Sequence, residues 1–148
     1  MIPNIYLLLK LSRPAFWSIP LLVFLLGLTY ADAKLTYLAV VQLLLLSLPF
    51  SVFLYGINDI YDYESDKLNP RKKGVQGIKL KQKYHSFIKK FSFFVILLLL
   101  FSSIITLNFS NIIGMIILLF FSYHYSAHPL RFKVKPPMDS FSNGMIYF

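Results

Sequence analysis

The chain has 148 residues, of which 57% are hydrophobic and only 14% charged, and its mean hydropathy is +0.63. A soluble core of this size cannot bury that much apolar material, so the composition points to a lipid bilayer as its solvent. The formal net charge of +9 invites a nucleic-acid reading, but the basic residues lie between apolar runs rather than on one polar face, which excludes it.

Four apolar stretches, at residues 16–31, 35–55, 91–107 and 112–125, approach the roughly 20 helical residues that cross a hydrocarbon core. The first, third and fourth are short, so tilt or flanking aromatics must make up the difference. Their interior polar residues, mainly Ser, Thr, Gln42, Asn108 and Asn111, can be satisfied by backbone or by a neighbouring helix. The expected fold class is an all-α polytopic bundle of about four spans, forming a single membrane domain over residues 1–148. Of the fifteen Lys and Arg residues, only Lys34 falls between the first two spans. The positive-inside rule then places both termini and the loop at 58–90 on the cytoplasmic side. A cleaved signal peptide is the rival for the N-terminus, since Ala31-Asp32-Ala33 mimics a cleavage site. Lys10 and Arg13 lie too far in for a compact positive leader, and Pro14 suits the start of a span.

Four of the six acidic residues, Asp59, Asp62, Glu64 and Asp66, fall at the end of the second span. If the helix continues past Tyr55, Asp59, Asp62 and Asp66 recur at i, i+3 and i+7 and share one face, with Asn58 beside them. Carboxylates stacked this way repel one another unless a cation holds them, and an all-oxygen set suits magnesium better than zinc. Magnesium commonly bridges carboxylates to substrate phosphates, so Lys67, Arg71, Lys72 and Lys73 next to the cluster suggest a diphosphate. The plain alternative is a solvated juxtamembrane turn, ended by Asn69-Pro70, whose basic run attracts anionic lipid headgroups. An EF-hand is excluded by the Asp spacing.

The run Asn58-Asp59-Ile60-Tyr61-Asp62-Tyr63-Glu64-Ser65-Asp66 matches the N-D-x-x-D-x-x-x-D motif and so resembles the UbiA superfamily of intramembrane prenyltransferases. Ser12-Arg13-Pro14 before the first span, and Tyr125-Ser126-Ala127-His128-Pro129-Leu130-Arg131-Phe132-Lys133 after the fourth, are similar to that family too. The second stretch resembles the chlorophyll synthase and lycopene elongase branch, with His128 in place of a Pro. The resemblance implies transfer of a prenyl group from an allylic diphosphate to a lipophilic acceptor in the membrane. It implies magnesium held by Asp59, Asp62 and Asp66, with Asp59 and Asp62 as the catalytic pair. Asn58, Lys67, Arg71, Arg131 and Lys133 would then meet the diphosphate. Arg131 and Lys133 have a positive-inside anchor as their bland reading.

The family's members are longer and carry a second Asp-rich motif in a later loop, whereas Asp139 is the only acid here after Asp66. Gly144-Met145-Ile146-Tyr147-Phe148 reads as the opening of a fifth span. The resemblance therefore covers the N-terminal half of a UbiA-type fold, apparently truncated, and a partner chain supplying the missing helices is one expectation. Two other function classes stay open: a non-catalytic membrane protein that retains only the diphosphate-binding half, and an unrelated four-helix membrane protein. His85, His124 and His128 have no metal-ligand spacing and read as interfacial residues, as does Trp17.

Overall fold

A computed structural model of the chain describes residues 3–70 and 78–147. The described residues form eight α-helices and short 3-10 turns, with no strand among them. The helices are α1 (Ile5–Leu11), α2 (Ser18–Tyr30), α3 (Tyr37–Leu46), α4 (Leu48–Tyr61), α5 (Tyr63–Leu68), α6 (His85–Ile105), α7 (Phe109–Ser126) and α8 (Met138–Tyr147).

Three helical segments are long and apolar enough to cross a membrane: Tyr37–Tyr61, Gln82–Ile105 and Phe109–Ser126. A fourth follows if Ile5–Leu11 and Pro14–Tyr30, bent by 49° at their junction, count as one broken span. The chain is thus an all-helical membrane protein, as its composition requires. The bend has a local cause. Arg13 adopts φ 50°, a left-handed conformation, and Pro14 restarts the chain as a 3-10 turn. Trp17 closes the corner by donating its indole N–H to the backbone oxygen of Ser12, at 3.2 Å, and to its hydroxyl, at 3.1 Å.

Helices α3 and α4 form one 25-residue run interrupted at Ser47, where ψ is −115°. Pro49 explains the interruption, because it has no N–H to give to the preceding turn and its ring crowds the carbonyl four residues back. At about 1.5 Å per residue the run is longer than a hydrocarbon core of about 30 Å, enough to cross it despite the interruption.

Helix α4 is the hub, packing on α1, α3, α6 and α7, while α8 lies against α7. Its buried Phe50, Phe53 and Ile57 meet Val95 and Leu99 of α6 and Met115 and Leu119 of α7. A second cluster joins Val52 and Ile60 of α4 to Leu11 and Ile88. Gly56 permits this close crossing, because a Cβ there would lie 2.6 Å from Ile88 Cγ2. Between the spans, Gln42 donates to Ser103 Oγ and Asn111 Oδ1, each at 3.0 Å, and Asn111 donates back to Gln42 at 3.2 Å. Inside lipid, such a reciprocal amide pair satisfies polar groups that have no water to turn to.

Element limits differ from the hydropathy reading in three places. The third span begins at Gln82, with α6 itself from His85, rather than near Phe91, because Ile88 is buried against α4 while Lys89 and Lys90 are exposed on the same helix. The second begins at Tyr37 and runs on to Tyr61. The C-terminal segment is helical from Met138, well before the apolar run at 144–148.

Candidate functional site

The helix does continue past Tyr55, but it does not stack three carboxylates. It ends at Tyr61, Asp62 sits in a break with φ −95° and ψ 6°, and α5 restarts at Tyr63. Asp59 turns inward and is 1% exposed, while Asp62 and Asp66 are half-buried. Among the described residues, no group of three His, Cys, Asp or Glu side chains is arranged to hold a metal ion.

Cations from distant parts of the chain meet these carboxylates instead. Arg13 donates to Asp59 Oδ1 at 3.1 Å and lies over the Tyr55 ring, 4.3 Å from its centroid. Arg131 donates to Asp62 Oδ1 at 3.2 Å, and Lys133 Nζ donates to Asp62 Oδ2. Lys133 also donates to Asn58 Oδ1 at 3.0 Å, an oxygen that accepts from Ser126 Oγ at 2.8 Å as well. Arg131, in the left-handed region at φ 43°, opens the 3-10 turn Phe132–Val134 that carries Lys133 back toward α4. Burial pushes the Lys133 ammonium below the ordinary lysine value, against the opposing pull of Asp62 and the more distant Asp66.

Of the residues singled out in the sequence, Asn58, Asp59, Asp62, Arg131 and Lys133 form one constellation. Asp66 lies one turn beyond, its N–H bonded to the Asp62 carbonyl oxygen at 2.8 Å. Lys67 is drawn away from the group and pairs with exposed Glu64 at 3.0 Å while lying over Tyr63. Arg71 lies outside the described residues. The sequence reading missed Arg13 and Ser126 as parts of the site. Their signals were an arginine directly before the proline that opens a span, and a serine in the stretch leading to Arg131 and Lys133. The three histidines lie against aromatic rings, His85 on Tyr63, His124 on Phe120 and His128 on Tyr61.

Charge counting indicates what such a site accepts. Arg13, Arg131 and Lys133 outnumber Asp59 and Asp62 by one, and Asp66 brings the total to balance. Arg13 Nε and Arg131 Nε are buried with no hydrogen-bond partner among the described residues. Two buried guanidinium donors with unmet hydrogen-bonding capacity favour an oxyanion. If an anion draws Arg131 and Lys133 to itself, Asp62 loses its counter-charge, and a divalent cation arriving with the anion restores it. Among the described residues these donors form no metal cage, and a divalent cation at Asp62 would need further oxygen ligands from elsewhere. Beside Asn58 a cavity of about 170 Å³ is lined by Arg13, Leu54, Tyr55, Tyr125, Asn143 and Ile146. A narrow apolar crevice against Phe16, Ile19 and Phe50 shares its Leu54, Tyr55 and Ile146 walls.

Fold and site together define an all-helical membrane protein with a buried, cation-rich polar site at the end of its central helix. The chain is 36% identical, over 93% of its length, to a protein of Haloarcula japonica named lycopene elongase/hydratase, covering 47% of that protein. It is 33% identical over 97% of its length to a lycopene elongase/hydratase of Corynebacterium glutamicum, covering 50% of it. It is also 32% identical over 90% of its length to a C(50) beta-cyclic carotenoids biosynthesis protein of Dietzia, of which it covers 31%. The chain spans half or less of the length of these curated relatives. No protein-family model and no solved structure matches it.

Proposed function

We propose that this chain forms the diphosphate-binding part of a membrane prenyltransferase that acts on a carotenoid, with magnesium and an allylic prenyl diphosphate as co-ligands. The observation that carries the reading is the gathering of Arg13, Arg131 and Lys133 around Asn58, Asp59 and Asp62 next to a cavity that continues into apolar walls. The printed names of the relatives supply the substrate class, and the resemblance of the Asn58 to Asp66 run to the UbiA motif supplies the reaction type.

In this reading each residue has a task. Arg131 and Lys133 release Asp62 and turn to the diphosphate oxygens, where hydrogen bonds to charged groups are at their strongest. Arg13, fixed by buried Asp59 and by the Tyr55 ring, stays in place and offers its Nε donor. Ser126 keeps Asn58 oriented. Asp62 and Asp66 would hold the magnesium, which when bound supplies positive charge to the departing diphosphate. The polar site would face the cytoplasm, as the lysine and arginine distribution suggests. Leu54, Phe16 and Ile19 keep water from the allylic chain, whose carbocation water would otherwise capture.

The test is binding of dimethylallyl diphosphate to the detergent-solubilised protein with and without magnesium, followed by a search for a prenylated carotenoid when lycopene is supplied. Magnesium-dependent binding that disappears in the Asp62→Asn, Asp66→Asn double variant supports the reading. Equal binding with both carboxylates neutralised overturns the site. Binding without any product assigns the protein a binding role instead of catalysis.

A further inference from the structure

The cavity beside Asn58 has a second polar wall that the ion pairs do not use. Tyr125, on the last turn of α7, donates its hydroxyl proton to Asp139 Oδ1 at 3.0 Å. Asn143 of α8 donates to the same phenol oxygen and to Asp139 Oδ1, both at 3.3 Å. Tyr125 and Asn143 line the cavity, together with the Arg13 guanidinium and apolar Leu54 and Ile146. A carboxylate thus stands behind a phenol that borders the same space as the cation-rich site. That arrangement suits relayed proton transfer, in which the hydroxyl takes a proton from the cavity as it passes its own to the carboxylate.

We infer that Tyr125, backed by Asp139 and oriented by Asn143, is the proton acceptor that ends the reaction at this site. The inference rests on the prenyl-transfer reading. When an allylic cation is attacked by a carbon–carbon double bond, the acceptor's π pair becomes the new carbon–carbon bond and leaves a tertiary carbocation on the acceptor. That second cation must be discharged. Loss of a neighbouring proton turns the C–H electron pair into a new double bond, while the proton goes to Tyr125 Oη and the phenol's own proton to Asp139 Oδ1. Alternatively a water oxygen supplies the pair for a carbon–oxygen bond, and its proton follows the same route to leave a tertiary alcohol. A cavity of about 170 Å³ is large enough to admit water when no substrate fills it. One proton acceptor therefore serves both outcomes, and half-exposed Asp139 returns its proton to solvent. Tyr125 faces the reacting carbon, and Asp139 acts through it as a positioning residue.

A purely structural role would be to pin α8 to α7, and the experiment separates the two. The full protein in its membranes is given dimethylallyl diphosphate, magnesium and lycopene, and diphosphate release is measured beside alkene and alcohol products in H2O and D2O. The variants are Tyr125→Phe, which keeps the ring and removes the hydroxyl, Asp139→Asn and Asp139→Glu. In Tyr125→Phe and Asp139→Asn, diphosphate release should persist while product per diphosphate falls about 100-fold, the usual scale of a lost general base. The solvent isotope effect on the alkene-to-alcohol ratio should disappear with it, and Asp139→Glu should restore both. Unchanged product per diphosphate and isotope effect in Tyr125→Phe overturn the inference even if Asp139→Asn does not fold. If the unsubstituted protein releases no diphosphate, the prenyl-transfer reading itself fails and the inference falls with it.

Discussion

Arg13→Met tests how much the fold depends on the pair it forms with Asp59. The Asp59 side chain is 0% exposed and that of Arg13 16%, so replacing Arg13 takes the guanidinium away from a carboxylate that water cannot reach. Removing one partner of a buried ion pair costs about 3–5 kcal/mol, and the slight exposure of Arg13 puts the expected loss near about 3 kcal/mol. At about 1.4 kcal/mol per tenfold, that is over 100-fold in the ratio of folded to unfolded protein. Asp59→Asn should cost less, about 2 kcal/mol, because it removes a charge-assisted hydrogen bond but leaves an arginine that can regain water. The double variant should cost about 3 kcal/mol rather than the sum of about 5, a coupling of about 2 kcal/mol within the range for contacting residues. Reversible unfolding in mixed micelles can be followed by the fluorescence of Trp17, the single tryptophan, whose indole is bonded to Ser12 next to Arg13. A cost below about 1 kcal/mol for Arg13→Met, together with additivity in the double variant, would refute the claim that the pair is buried and coupled.

Gly56→Ala should destabilise by about 1–3 kcal/mol, because the added Cβ meets Ile88 Cγ2 at 2.6 Å in the packed crossing of α4 and α6. The same micelle unfolding measures it, and if the clash is the cause Ile88→Ala, which deletes Cγ2, should cost less in the Gly56→Ala background than alone. The Lys133 and Lys67 amines should titrate on opposite sides of the ordinary lysine value of 10.5, Lys133 lowered by burial and Lys67 raised by Glu64. A folded-state value below 10.5 means that Lys133 opposes folding at neutral pH. Its contribution improves as pH rises through that folded value toward 10.5, where the unfolded chain still binds the proton. Carbon-13 methylation of the amines and NMR read both midpoints. Asp62→Asn should move Lys133 further down, since Asp62 is what raises it, and an unmoved or raised midpoint would contradict the pairing.

Membrane residence, helical class and the order of the spans were readable from the sequence alone. In lipid the backbone must satisfy its own hydrogen bonds, which makes a long apolar run a helix almost by necessity. The Asn58 to Asp66 motif and the basic stretch at Arg131 and Lys133 were likewise visible, because each is contiguous in the chain. Their roles were not. Stacking of Asp59, Asp62 and Asp66 assumed an unbroken helix around a cation, whereas Asp59, still inside α4, pairs with Arg13, and Asp62, at the break, pairs with Arg131 and Lys133. These partners lie 46, 69 and 71 positions away in the chain, separations over which hydropathy and local spacing carry no information. Only the packing of α1, α6 and α7 on α4, with Gly56 admitting Ile88 of α6 and with the turns at Arg13 and Arg131 redirecting the chain, decided which charges meet. The same holds for Tyr125 and Asp139. The sequence shows a tyrosine and an isolated acid, and the docking of α8 on α7 makes them a pair beside a cavity.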